Sequence, residues 1–192
     1  MVDASLDTVE GEILVAHMAV VPILALDGST VTLRTYWRQA PTVTGLVRHF
    51  GCLFCHQMVH DLTEAAPAIL ERGANLIIVG NGTLAQARDF FSQRGLPRDR
   101  VFVLTDPERR SYQAAQAERG LRQTFFNSGS RRAYAKARRE GHAVSGWFGD
   151  LTQLGVLLVT RPPAGLTYFY RSRYAGDHPG MTEVLGALAR RG

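Results

Sequence analysis

Cysteine is almost missing from this chain: there are two in 192 residues, at positions 52 and 55. A disulfide framework needs several paired cysteines, so that class of small stapled protein is excluded. One link between Cys52 and Cys55 would close too small a loop to stabilise a fold, so the pair is read as chemistry. Long apolar runs are missing as well. None reaches the ~18 residues that cross a bilayer, and the stretch Ile13–Leu26 is broken by His17 and Pro22, so no membrane association is expected. The opening Met1-Val2-Asp3-Ala4-Ser5 carries no basic residue and no export-cleavage pattern follows it; a cytoplasmic location is the expectation. Internal repeats and low-complexity segments do not occur. What remains, 45% hydrophobic and 20% charged residues, is ordinary for a globular chain. Lys and Arg outnumber Asp and Glu by 22 to 17, which gives weak attraction to anions without making nucleic acid the expected partner.

The length fits one domain, with a core over about residues 20–120 and 150–192 and an insertion at 121–149. Val20–Leu26 and Thr30–Thr35 flank Asp27-Gly28-Ser29, a hairpin signal. Three strand-to-helix units follow. The first is a strand over 43–50 with a helix whose inner face holds Cys55, Met58, Val59, Leu62, Ala65, Ala66 and Ile69. His56, Gln57, His60, Asp61 and Glu64 are expected on its outer face, and Pro67 should kink or shorten it. The second is Asn75–Gly80, apolar enough to be central and parallel, then a helix opened by the capping box Thr83-x-x-Gln86. The third is Val101–Leu104, then a helix with Asp106 as N-cap and Pro107 at its first position. Strands at Leu154–Thr160 and Gly165–Arg171 form a second hairpin, and a last helix starts near Asp177-His178-Pro179. These elements assemble most simply as an α/β fold: one central mixed sheet flanked by helices on both faces.

The dithiol Cys52-Leu53-Phe54-Cys55 falls where a strand gives way to a helix. Unpaired N–H groups and the positive end of the helix dipole stabilise a thiolate there, and Cys55, one turn on, is within reach of Cys52. Three other readings compete. Cys52-Leu53-Phe54-Cys55-His56 matches a haem-attachment motif, but c-type haem is attached outside the cytosol and the strand-helix pattern does not suit it. Cys52, Cys55, His56 and His60 could ligate a metal, but the two residue types project from different sides of the helix. Two cysteines could also be small buried apolar side chains. The redox reading is preferred, with no metal and no cofactor expected.

With Arg48-His49-Phe50-Gly51-Cys52-Leu53-Phe54-Cys55-His56 on the page, the chain resembles peroxiredoxin-like proteins of the AhpC/TSA type, specifically the peroxiredoxin-like 2 branch. Further matches follow in order: Leu76–Gly80, Leu104-Thr105-Asp106-Pro107, Gly149–Gly155, and Tyr170-Arg171-Ser172-Arg173 leading into Gly176-Asp177-His178. The likeness covers about residues 20–190. It implies a thioredoxin-like fold and thiol-dependent reduction of a peroxide, an organic endoperoxide or a disulfide. A thioredoxin- or glutathione-type reductant would reset the dithiol. The Pro-x-x-x-Thr-x-x-Cys context of typical peroxiredoxins is absent, since His49 stands three before Cys52. Gln153-Leu154-Gly155 stands where thioredoxins place a cis-proline.

Around the catalytic candidates Cys52 and Cys55, Arg48 would stabilise a thiolate or a leaving oxygen, or else form a strand-edge ion pair. Phe54, Trp147, Arg171 and Arg173 are the candidate substrate contacts, with Phe125, Phe126 and Phe148 shaping an apolar pocket if residues 121–149 act as a lid. His49, His56 and His60 are either general acids or a solvated helix face. Gly80-Asn81-Gly82 is read as a plain turn. A specialised biosynthetic enzyme and a non-redox binding module are the alternatives on the same scaffold. The oligomeric state, a homodimer among the options, is left open.

Overall fold

The computed structural model describes residues 8–47, 53–94, 96–97, 99–117, 153–163 and 165–190, with the isolated positions 132, 135 and 139; for 8, 53–56 and 94 the backbone alone is described. The elements in chain order are α1 (Thr8–Ala19), β1 (Pro22–Ala25), β2 (Thr30–Thr32), α2 (Leu33–Trp37), β3 (Thr42–Leu46), α3 (Leu53–Glu71) and β4 (Asn75–Gly80). They continue with α4 (Leu84–Arg94), β5 (Val101–Thr105), α5 (Arg110–Ala114), β6 (Val156–Arg161), β7 (Gly165–Arg171) and α6 (Met181–Ala189).

Among the described residues seven strands form one sheet, ordered β2-β1-β5-β4-β3-β6-β7. β3, β4 and β5 run parallel, while β1, β6 and β7 join antiparallel. Alternation along each strand divides the core in two. Val43, Leu76, Ile78, Val103, Leu157 and Tyr168 pack with α3, α4 and α6 on one face. Leu46, Ile77, Val79, Leu104, Val156 and Phe169 pack with α1, α2 and α5 on the other. Every residue of β3 and β4 is buried, as covering by helices on both faces requires. α3 approaches β3 so closely that a Cβ on Gly45 would lie 2.9 Å from Leu62 Cδ1.

The capping box forms as expected: Thr83 N–H donates to Gln86 Oε1 at 2.8 Å and Gln86 N–H to Thr83 Oγ1 at 3.3 Å. Pro67 sits inside α3, which ends one turn later at Glu71. Four local expectations are corrected. α1 appears where the sequence shows only an interrupted apolar stretch, and β3 ends at Leu46, short of residue 50. Gln57 is buried, not on a solvated face. α5 starts at Arg110, and Asp106 caps it from outside: its Oδ2 accepts Ser111 N–H at 2.7 Å and Ser111 Oγ–H at 2.6 Å. Among the described residues, no helix is long and apolar enough to cross a membrane.

Candidate active site

At one rim of the sheet Leu104, Val79, Leu46, Val156 and Arg171 stand in register across five strands. The parallel strands end here, and here the chain leaves β3 for α3, which begins at Leu53. Phe54 and Cys55 therefore lie in the first turn of α3, and Cys52 immediately precedes it. That turn contains no acidic residue, so no side-chain charge opposes the positive end of the helix dipole. Arg48, His49, Cys52 and Trp147 lie outside the described residues, as do Phe125, Phe126 and Phe148. Among the described residues, no group of three or more His, Cys, Asp or Glu side chains is placed to hold a metal ion, and His60 is exposed.

One turn into α3 the packing against β3 and β6 is close. Met58, one turn beyond Cys55, is buried in the α3-side core. Gly155, just before β6, meets the end of β3. A Cβ there would lie 3.0 Å from the Leu46 carbonyl oxygen, 3.5 Å from Ser172 Oγ and 3.9 Å from Met58 Sδ. Ser172 N–H donates to the Gly155 carbonyl at 3.0 Å, which extends the β6–β7 pairing past Arg171. Only a residue without a side chain lets these three segments close up. Gln57 and Gln153 are buried nearby in sequence terms, at 5% and 1% exposure. Composition gives no signal for them, because a lone glutamine is usually solvated.

The two arginines on β7 and beyond it part company. Arg171 shares the parity of Phe169 and so turns toward α5, across the sheet from α3. Its guanidinium lies 5.4 Å from the centre of the Phe169 ring, and its Nη1 donates to Gln116 Oε1 at 3.2 Å. Arg173 turns instead to Asp177, whose Oδ2 accepts from its backbone N–H at 2.9 Å and its Nε at 3.2 Å. Tyr170 Oη–H donates to the other carboxylate oxygen at 2.5 Å. The Asp177 side chain is 7% exposed while that of Arg173 is 75% exposed, so a buried carboxylate anchors an outward-facing cation. Burial, then the bond to Asp177, pushes the Tyr170 phenol well above the usual tyrosine range, keeping it a neutral donor. Asp177 is thus the hub of a small polar cluster, where the local sequence suggested only a helix start. His178 follows, its Nδ1 3.7 Å from Asp61 Oδ2, which places the cluster beside the helix that carries Cys55.

A mixed sheet with helices on both faces, and a long helix following the parallel strand β3, defines the class of a thioredoxin-like α/β protein. The fold is that of solved peroxiredoxins. The bacterioferritin comigratory protein of Xanthomonas campestris, described for its alkyl peroxide reduction, superposes with a TM-score of 0.63 at 14% identity, over 90% of this chain and 92% of that one. The chain belongs to the AhpC/TSA antioxidant enzyme family, whose model matches residues 61–174. It is an oxidoreductase of the thiol redox kind. It is 28% identical to mouse peroxiredoxin-like 2C over 93% of its own length and 81% of that protein. It is 27% identical to the chloroplastic thioredoxin-like protein AAED1 of Arabidopsis thaliana, over 87% and 69% respectively.

Proposed function

We propose that the chain reduces a peroxide, an organic one by preference, through Cys52 and Cys55, and is reset by a thioredoxin- or glutathione-type thiol in the cytoplasm. The observation that carries this reading is the start of α3 at Leu53. Cys52 directly precedes that start in the sequence and Cys55 belongs to the first turn, a position where helix N–H groups favour thiolate over thiol. In the first step the Cys52 thiolate attacks the near peroxide oxygen. The O–O bond breaks, an S–O bond forms, and the leaving alkoxide takes a proton as alcohol or water. Cys55 then displaces hydroxide from the sulfenic acid, giving the disulfide and water. Two thiols of the reductant return two electrons and two protons. Arg48 stabilises the charge developing on the leaving oxygen, and Phe54 and Trp147 contact the organic part of the substrate. Arg173, paired with Asp177 and largely exposed, and Arg171, bonded to Gln116 on the α5 side, are the further candidate substrate contacts. The alkyl peroxide reduction described for the Xanthomonas protein and the family membership support an organic substrate.

Adding one equivalent of an alkyl hydroperoxide to the reduced protein should consume both thiols and lower the peptide mass by two hydrogens. An unchanged thiol count would contradict the reading.

A further inference from the structure

The chain exits the sheet toward the dithiol at Val47, and one side chain holds that point. Val47 N–H donates to the Val79 carbonyl at 2.8 Å, continuing the β3–β4 ladder one bond past the end of β3. The Val47 carbonyl accepts from Tyr112 Oη–H at 2.5 Å, and the same hydroxyl lies 3.1 Å from the Val79 carbonyl. Tyr112 is fully buried and reaches these carbonyls from α5, on the opposite face of the sheet from α3. α5 is only five residues long and is fixed at its start by the two bonds from Ser111 to Asp106.

A phenylalanine would fill this apolar site without burying a hydroxyl, which costs free energy unless it is bonded. Here the single hydroxyl proton points between two main-chain carbonyls, closer to that of Val47, where β3 has just ended. We propose that Tyr112 is a positioning residue for the dithiol: it fixes the peptide plane at Val47, five residues before Cys52 in the sequence. This inference rests on the dithiol reading above. It deepens that reading, because nucleophilic attack is sensitive to displacements of about 1 Å, which can cost up to a hundredfold in rate.

The test compares Tyr112→Phe with Tyr168→Phe, a second hydrogen-bonded tyrosine, whose hydroxyl meets Glu183 at 3.1 Å. In Tyr112→Phe the pH midpoint for alkylation of Cys52 by iodoacetamide should rise by about one unit, a tenfold change in thiolate stability. The rate with an alkyl hydroperoxide should fall tenfold to a hundredfold. Tyr168→Phe should lower thermal stability and leave both readouts at the wild-type value. Ser111→Ala, which keeps the phenol but loosens α5, should move both in the same direction by less, and serves if Tyr112→Phe does not fold. Wild-type readouts in both Tyr112→Phe and Ser111→Ala would overturn the proposal, as would equal shifts in Tyr112→Phe and Tyr168→Phe. Alkylation reports on the sulfur whether or not the protein reduces anything. An unreactive wild type toward peroxide would therefore refute the redox reading while the alkylation profile still decided on Tyr112.

Discussion

Replacing Cys52 by serine is expected to lower peroxide reduction on the order of a thousandfold or more. A serine hydroxyl is scarcely ionised near neutral pH, and a helix N-terminus that supports a thiolate cannot make it a nucleophile. Losing the nucleophile of a catalytic group also removes the advantage of every neighbour that served it. Cys55→Ser should behave differently. The attack still occurs, so one equivalent of peroxide is consumed in a burst. The sulfenic acid then persists, because no second thiol displaces its hydroxyl. Stopped-flow peroxide consumption, with a sulfenic-acid trap, separates the two variants. Full turnover in Cys52→Ser would contradict the account, and a burst in Cys52→Ser but not in Cys55→Ser would reverse the order of attack.

The second large effect is on stability. Trp37 is fully buried beneath β3, on the face opposite α3, and its indole Nε1–H donates to Thr44 Oγ1 at 3.1 Å. Trp37→Ala should destabilise the fold by about 3–5 kcal/mol through lost transfer energy and the cavity left behind. A further ~1–3 kcal/mol follows if the buried Thr44 hydroxyl loses its partner. Against a typical total of about 5–15 kcal/mol, that takes most of the stability of an ordinary domain. Urea unfolding followed by circular dichroism gives the value, and Trp37→Phe isolates the hydrogen bond and the smaller ring. A loss under about 1 kcal/mol in Trp37→Ala would show that the side chain is not packed as described.

The elements that could be read from sequence are those whose signal is local. Asn75–Gly80 is apolar at nearly every position because it is covered on both sides, and no alternative element explains such a run. Thr83 and Gln86 satisfy each other's backbone within one turn, so their spacing alone announces the helix. The misses share a different cause. α1 is apolar on its exposed side as well, with Val9 and Ile13 more than half exposed, so it lacks the stripe that marks a surface helix. The apolar stripe of α3 points Gln57 to solvent, but Gln57 and Asp61 share a flank of that helix. The Asp177-His178 segment reaches that flank, with His178 meeting Asp61. A helix's own pattern does not reveal what folds over its second side. Asp106-Pro107 has the right residues for a helix start, yet Arg109 takes a left-handed conformation at φ 60° and α5 begins after it.

The site divides the same way. The dithiol reading comes from strand, helix and spacing coinciding within a few residues, and it stays a proposal because Cys52 lies outside the described residues. Tyr112, Gly155 and Asp177 were not legible, since each acts through a partner that sequence proximity or composition does not mark. Tyr112 bonds to a carbonyl 65 residues earlier. Gly155 matters because a backbone oxygen from another strand leaves no room for a side chain.

The reduction potential of the Cys52–Cys55 couple, measured by equilibration against glutathione or thioredoxin buffers, tests the central claim most directly. A reversible two-electron couple between roughly −270 and −180 mV, the range of working thiol-disulfide proteins, is the predicted result. Two thiols that stay reduced in the most oxidising buffer, with no disulfide at any ratio, would contradict it.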